Sequence, residues 1–348
     1  MRGMVLVAAA LLAVPVEAQE VERISGREVA VYNLVGQVDI VRGSGSDVVV
    51  RIDRGGSDAS ELSIETGNIR GRETLRIIYP DDQIVYPEMG RGSSTSQSVR
   101  TDGTFGDGGS GRRDRVRIRG SGSGLEAWAD LTIEVPAGQD FAIYVAAGEI
   151  HARDLDGDVR LDIGSGEITA MDVTGSLEAD TGSGRLDIRG VNGDLTADTG
   201  SGQISVSDVV GSHVELDTGS GGITAVGIDA DELNVDTGSG SVELSEILAP
   251  DVVVDTGSGS VEIELLSDVD HLEVDTGSGS VTVRAPADLG ATVEIDTGSG
   301  GIDLDFPLQV RSVSRDHIEG QIGDGRGSIE IDTGSGTIRF IRGRNPVR

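Results

Sequence analysis

One pentapeptide, Asp-Thr-Gly-Ser-Gly, occurs eight times, starting at Asp180, Asp198, Asp217, Asp236, Asp255, Asp275, Asp296 and Asp332. A ninth, altered copy, Asp-Ile-Gly-Ser-Gly, starts at Asp162. From Asp162 the first seven intervals are 18, 18, 19, 19, 19, 20 and 21 residues. A short fixed period means a stacked array rather than a globule around one central site. Any chemistry assigned to one copy must therefore account for all nine.

The side-chain parity inside one period gives the shape of the coil. Leu233, Val235 and Thr237 share one parity and face one side of a strand. Val242 and Leu244 have the other parity, so a corner lies between, at Gly238-Ser239-Gly240. Ile247 breaks parity again, and Val252 and Val254 break it a third time. The same offsets recur around Asp198 and Asp162. The spacing predicts an all-β fold, a single-stranded β-solenoid with 18–21 residues per coil and three short faces. Thr then points inward, with Ile163 keeping its apolar shape, and Asp points outward. About ten coils at ~4.8 Å would span roughly 50 Å.

Composition agrees with a thin column of aliphatic side chains. Gly numbers 53, and only 3% of residues are aromatic. There is no cysteine, hence no disulfide, thiol nucleophile or thiolate metal site. The net charge is −32, and residues 141–300 carry 32 Asp and Glu against 5 Arg. Such a surface repels nucleic acid. It suits cations, basic polymers or basic proteins, or serves only solubility.

Along the chain, residues 1–18 read as a secretory signal: Arg2, an apolar stretch from Met4 to Val14, then Val16-Glu17-Ala18. That stretch is too short for a good membrane span. Residues 19–80 read as short β-rich coils. Residues 81–124 read as a flexible Gly/Ser/Arg-rich surface loop, with seven Arg between 91 and 120. The repeat domain is expected over 125–342, with a closing segment from about 305 as the candidate cap and a tail at 343–348. The expected location is outside the cytoplasm: periplasm, cell surface or medium.

Val254-Asp255-Thr256-Gly257-Ser258 has the form of an aspartic-protease active-site segment. That chemistry needs two aspartates facing each other and sharing a proton. Parallel stacking puts the copies in a row instead. A turn device explains the motif more simply, with each carboxylate accepting from the N–H groups of its own corner. The sharper reading is a cation ladder. Carboxylates ~4.8 Å apart repel by about 0.9 kcal/mol per pair at the dielectric of water. Calcium, which takes several oxygen ligands, could bridge Asp162, Asp180, Asp198, Asp217, Asp236, Asp255, Asp275, Asp296 and Asp332. No Gly-Ser-Gly is followed by the Lys of a phosphate loop. The four His (His151, His213, His271 and His317) are scattered, and no catalytic set is expected.

Four segments together resemble the domain-of-unknown-function 4097 family, whose adhesin designation is itself an inference. They are Val31 to Val38 (VYNLVGQV), Leu131 to Gly138 (LTIEVPAG), the Asp-Thr-Gly-Ser-Gly coils, and the segment from Asp305-Phe306-Pro307 through Gly320 to Gly325 and on to Ile338. The resemblance implies a right-handed solenoid, export and no defined enzyme activity, and it carries over no functional residues. Three functions follow as expectations. The first is an exported, non-enzymatic adhesion or envelope scaffold with a cell-envelope or surface polymer or protein as partner. The second is a carbohydrate-active enzyme on the same scaffold. The third is a periplasmic sensor or stress-response partner.

Overall fold

A computed structural model describes residues 20–343. The signal segment and the last residues of the tail lie outside them. Nearly every described element is a strand; the exceptions are two single-turn 3-10 helices at Ala59–Glu61 and Pro87–Met89.

The array is a solenoid of parallel strands in register. Val159–Ile163 lies on residues 141–145, and Gly166–Thr174 lies on 148–156. The next coil repeats this with Leu177–Thr181 and Leu186–Asn192. Each coil turns at three places, which are the three parity breaks. One is the Gly-Ser-Gly corner. The second is a residue in the left-handed region, Asp154, Asp172, Asp208 or Glu246 in different coils, with φ of 55–58°. Asp tolerates that region better than most side chains. The third precedes the next coil, at Gly157, Gly175 and Gly193.

Alternation places one apolar set inward. In one coil Leu233, Val235, Val242, Leu244 and Ile247 are all at most 2% exposed. Each such side chain contributes roughly 1.5–3 kcal/mol on burial. The Thr column is also interior: Thr181, Thr199, Thr218, Thr237, Thr256, Thr276 and Thr333 have no exposed surface. A buried hydroxyl needs a partner. Each Thr donates to the carbonyl of the last Gly in the neighbouring corner, at 3.0–3.3 Å. That Gly must be Gly for space: a Cβ on Gly259 would sit 1.8 Å from the carbonyl oxygen of Gly240.

The array begins earlier in the chain than the repeats suggest. Glu28–Arg42 stacks in parallel on Asp140–Asp156, with Tyr32 opposite Tyr144 and Gly36 opposite Gly148. Tyr32-Asn33-Leu34-Val35-Gly36 is thus a diverged corner, with about a hundred residues inserted after its coil. Beyond it, Arg72–Ile78 and Trp128–Val135 continue the stack in parallel. Antiparallel strands at Ser63–Ile69, Val48–Gly55 and Glu20–Ile24 then close that end.

The segment 81–124 differs from the loop expected of it. It holds a three-stranded sheet of Gln83–Val85, Ser94–Arg100 and Arg113–Arg119. Its Arg-Val-Arg-Ile-Arg run at 115–119 is a period-two strand hidden in a loop-like composition. Val116 and Ile118 are buried on one side and the Arg residues stand on the other.

At the far end the copies are not stacked in chain order. Gly327–Thr333 lies between His271–Thr276 and Ala291–Thr297, hydrogen-bonded to both. The column therefore runs Asp275, Asp332, Asp296. Identical corners make this possible, because any copy presents the same donors and acceptors to any neighbour. Thr333 accordingly bonds Gly279, and Thr297 bonds Gly336. Ala291–Thr297 is covered by an antiparallel hairpin of Leu308–Val313 and His317–Ile322.

Candidate functional site

The nine aspartates form one outward column, each half-buried or exposed between buried neighbours. The corner does not cap them as an Asx turn would. The N–H of the first Gly in each corner donates at 2.9–3.2 Å to the adjoining coil, to the carbonyl of the Thr or its equivalent. In every copy except the outermost, which ends at Gly300, the N–H of the last Gly donates to a Ser carbonyl on the other side. Both glycine donors are spent along the stack, so the carboxylates stand outward without them.

Their ionisation reflects the column. Partial burial, then the charge of a column neighbour, raises the carboxyls of Asp198, Asp217, Asp236, Asp255 and Asp332 above their usual range. For Asp332 the neighbours are Asp275 and Asp296, as its inserted position requires. Asp162 is the extreme case: burial, then Asp180, pushes it up to about 6, while Arg160 pulls the other way. Beside the column runs a second outward row, with Glu178, Glu215, Glu273, Glu330 and Glu294 at matching positions. The aspartates are side by side in a row, which is the wrong arrangement for a proton-sharing dyad.

At the N-terminal end the column changes from Asp to Tyr. The Tyr32 and Tyr144 rings stack 4.8 Å apart and 8° from parallel, with Phe105 edge-on to Tyr32. The Tyr32 hydroxyl donates to Asp107 at 3.0 Å. Asp107 also pairs with Arg100 and, at 3.5 Å, with Arg70. Burial alone would raise the Asp107 carboxyl, but the Gly109 N–H, the Tyr32 hydroxyl and Arg100 hold it below its usual range. Arg160 lies 5.9 Å from the Tyr144 ring centre and bonds Glu178 at 2.5 Å. A cleft of about 730 Å³ opens here, with Ala142 and Tyr144 in its lining and Arg72, Arg160, Asp158 and Glu178 around it. Within its lining Arg160 pairs with Glu178 and Arg72 lies 4.0 Å from Glu28, and acids outnumber the two Arg.

At the other end the outermost aspartate meets an imidazole. His317, on the covering hairpin, stands opposite Asp296 with Nδ1 2.9 Å from its Oδ1. The hydrogen bond to Asp296 raises the imidazole pKa, with the charges of Asp296, Glu294 and Glu319 adding to it. In sequence His317 is 21 residues from Asp296, and nothing in its spacing marks the pair. Tyr144 stands one 18-residue period before Asp162, whereas nothing in the sequence marks Tyr32, Asp107 or Arg160.

Residues 130–340, more than half of the chain, match the sequence profile of the family described as Toastrack DUF4097. The chain belongs to the Toastrack family. Solved structures similar to it include one from Clostridium sporogenes described as a "putative cell adhesion protein". It is 12% identical, with a TM-score of 0.24, covering 94% of this chain and 99% of that one. Another, from Bacteroides fragilis, is described as a "putative adhesin", with 12% identity, a TM-score of 0.33 and the same coverage. No curated protein matches the chain. In this Toastrack chain the matched region starts within Trp128–Val135 and takes in all nine aspartates. The first coil at Glu28–Arg42 and the 81–124 sheet precede it. No helix among the described residues is long and apolar enough to cross a membrane.

Proposed function

We propose that this Toastrack protein is an exported, non-enzymatic adhesion or envelope scaffold that holds an extended cationic partner along its acidic face. The observation that supports this is the pair of adjacent outward rows, Asp at one position and mostly Glu or neutral residues two positions before it, repeated coil after coil. A linear partner with a regular positive charge meets a regular row of carboxylates at ~4.8 Å spacing. Charge complementarity gives such contacts their on-rate and salt dependence. Binding of the full chain to immobilised poly-lysine and to cationic envelope polymers is the test. Binding that falls steeply with added salt and weakens in a Glu215→Gln/Asp217→Asn/Asp236→Asn variant is expected. No binding even at low salt would overturn the reading.

A second reading has its own support. Partial burial first, and then the charge of a column neighbour, raises these carboxyls, and a bound cation would relieve the second of these. Calcium would then sit along Asp162, Asp180, Asp198, Asp217, Asp236, Asp255, Asp275, Asp332 and Asp296. Melting in calcium against chelator decides it, and coincident curves would end it.

A further inference from the structure

The two ends of the aspartate column differ in donor chemistry, and the C-terminal end offers more than carboxylates. Ala291–Thr297 and His317–Ile322 pair antiparallel, with Asp296 opposite His317 and Glu294 opposite Glu319. All four side chains project to the outer side of this pair, none of them buried, while Ile295 and Ile318 face the interior. One donor atom from each of Glu294, Asp296 and His317 lies within 4.8 Å of the other two.

We propose that Glu294, Asp296 and His317 form a binding site for one divalent transition-metal ion, zinc being the natural probe, which fastens the hairpin to the last coil. The spacing fits. Two ligands held ~2.1 Å from one ion at the tetrahedral angle are themselves about 3.4 Å apart; the His317 Nδ1 to Asp296 Oδ1 separation is 2.9 Å, so seating an ion between them opens the pair by only about half an ångström. One imidazole nitrogen with carboxylate oxygens suits zinc and its first-row neighbours, whereas calcium prefers oxygen alone. Water would complete the shell, since the group is at the surface. Glu319 stands opposite Glu294 and contacts Arg311 at 3.5 Å, which adds negative charge beside the three without making it a ligand.

The same chemistry does not converge elsewhere on this row. His213 has Glu232 3.2 Å from Nδ1 and Glu215 3.9 Å from Nε2. Those carboxylates face opposite nitrogens of one ring and cannot share an ion with it. In the middle of the Asp column each aspartate has only aspartates above and below. The site exists because the hairpin brings a His against the outermost Asp. It shares Asp296 with the calcium reading and Glu294 with the acidic row, but it depends on the imidazole, which neither of those readings uses.

Zinc titration into metal-free full-length protein, followed by calorimetry, tests the proposal. One equivalent is expected, with affinity falling at least about tenfold in His317→Gln and in Asp296→Asn. His213→Gln and Asp236→Asn should bind as the unmodified chain does. Zinc should also slow tryptic cleavage after Arg311 and Arg315 in the unmodified chain and leave the rate unchanged in His317→Gln. Absence of zinc binding, or binding that survives His317→Gln, would overturn it. In that second outcome the His317–Asp296 contact is a plain hydrogen-bonded ion pair.

Discussion

The two ends of this solenoid solve one problem in different ways. A stacked coil leaves an open row of backbone donors and acceptors, which invites pairing with another chain. At the N-terminal end the stack passes into antiparallel strands, and a charged loop folds over a pair of stacked tyrosines. At the C-terminal end a repeat coil is slid between two others, and a hairpin covers the displaced one. The first end is held by side-chain contacts specific to it. The second reuses the repeat's own backbone contacts and adds Phe306 against Phe340, 4.9 Å apart. The middle has no specific device and relies on every corner fitting the next.

That difference can be broken at graded cost. The largest effect is expected in the middle. Gly259→Ala forces a Cβ to within 1.8 Å of a backbone oxygen, with no side chain to move aside. A loss of about 4 kcal/mol or more is expected, read as a collapse of the melting transition. Gly301→Ala, at the outermost coil with nothing within 4 Å, should stay within about 0.5 kcal/mol. Equal effects would mean that the corners do not bear on one another.

Next comes the N-terminal end. Tyr144→Ala removes the partner of Tyr32 and should cost about 3–5 kcal/mol. Hydrogen exchange should rise in residues 28–42 and 101–112, while the coils around Asp236 stay protected, as expected of a quasi-linear stack. Phe306→Ala at the other end should cost less, about 2 kcal/mol, because Phe306 lies at the margin of the core. Its exchange should rise only in the hairpin and last coils. Global deprotection by either variant would show one cooperative unit instead of two separately closed ends.

The last effect is electrostatic and depends on pH. Asp162 is raised from 3.8 to about 6 in the folded chain, so folding disfavours its ionised form. Between those values the folded state holds a proton that the unfolded state has released. Stability from this group is therefore highest below about pH 4, falls as pH rises through the window, and stays low above it. Asp162→Asn removes the penalty and should stabilise by up to about 3 kcal/mol near pH 7, with no gain near pH 3.5. Asp236→Asn, more exposed in mid-column, should change little at either pH. Denaturant melts of the two variants at both pH values provide the measurement.

Much of this fold was legible in the residues because a period of 18–21 with three parity breaks permits few shapes. The inward Thr and outward Asp follow from alternation alone, and Ile163 in a Thr position supported it. The Asx turn did not follow, because sequence cannot say whether a corner's N–H groups turn to their own side chain or to the next coil. The strands within 81–124 were masked by composition: Arg115-Val116-Arg117-Ile118-Arg119 alternates, but Gly, Ser and Arg dominate around it. The His317 pair was invisible because its partner arrives through an antiparallel hairpin rather than through the repeat.

By itself the sequence determined the coil, its inward and outward columns and the acidic character of one face, since these depend only on local alternation and period. Tertiary structure alone decided the order of the last three copies, the stacking of Tyr32 on Tyr144 at the first coils, and the meeting of His317 with Asp296. Identical repeats carry no information about which copy lies on which. That choice belongs to the long-range packing of Phe306, Phe340 and the closing hairpin, which no local pattern encodes.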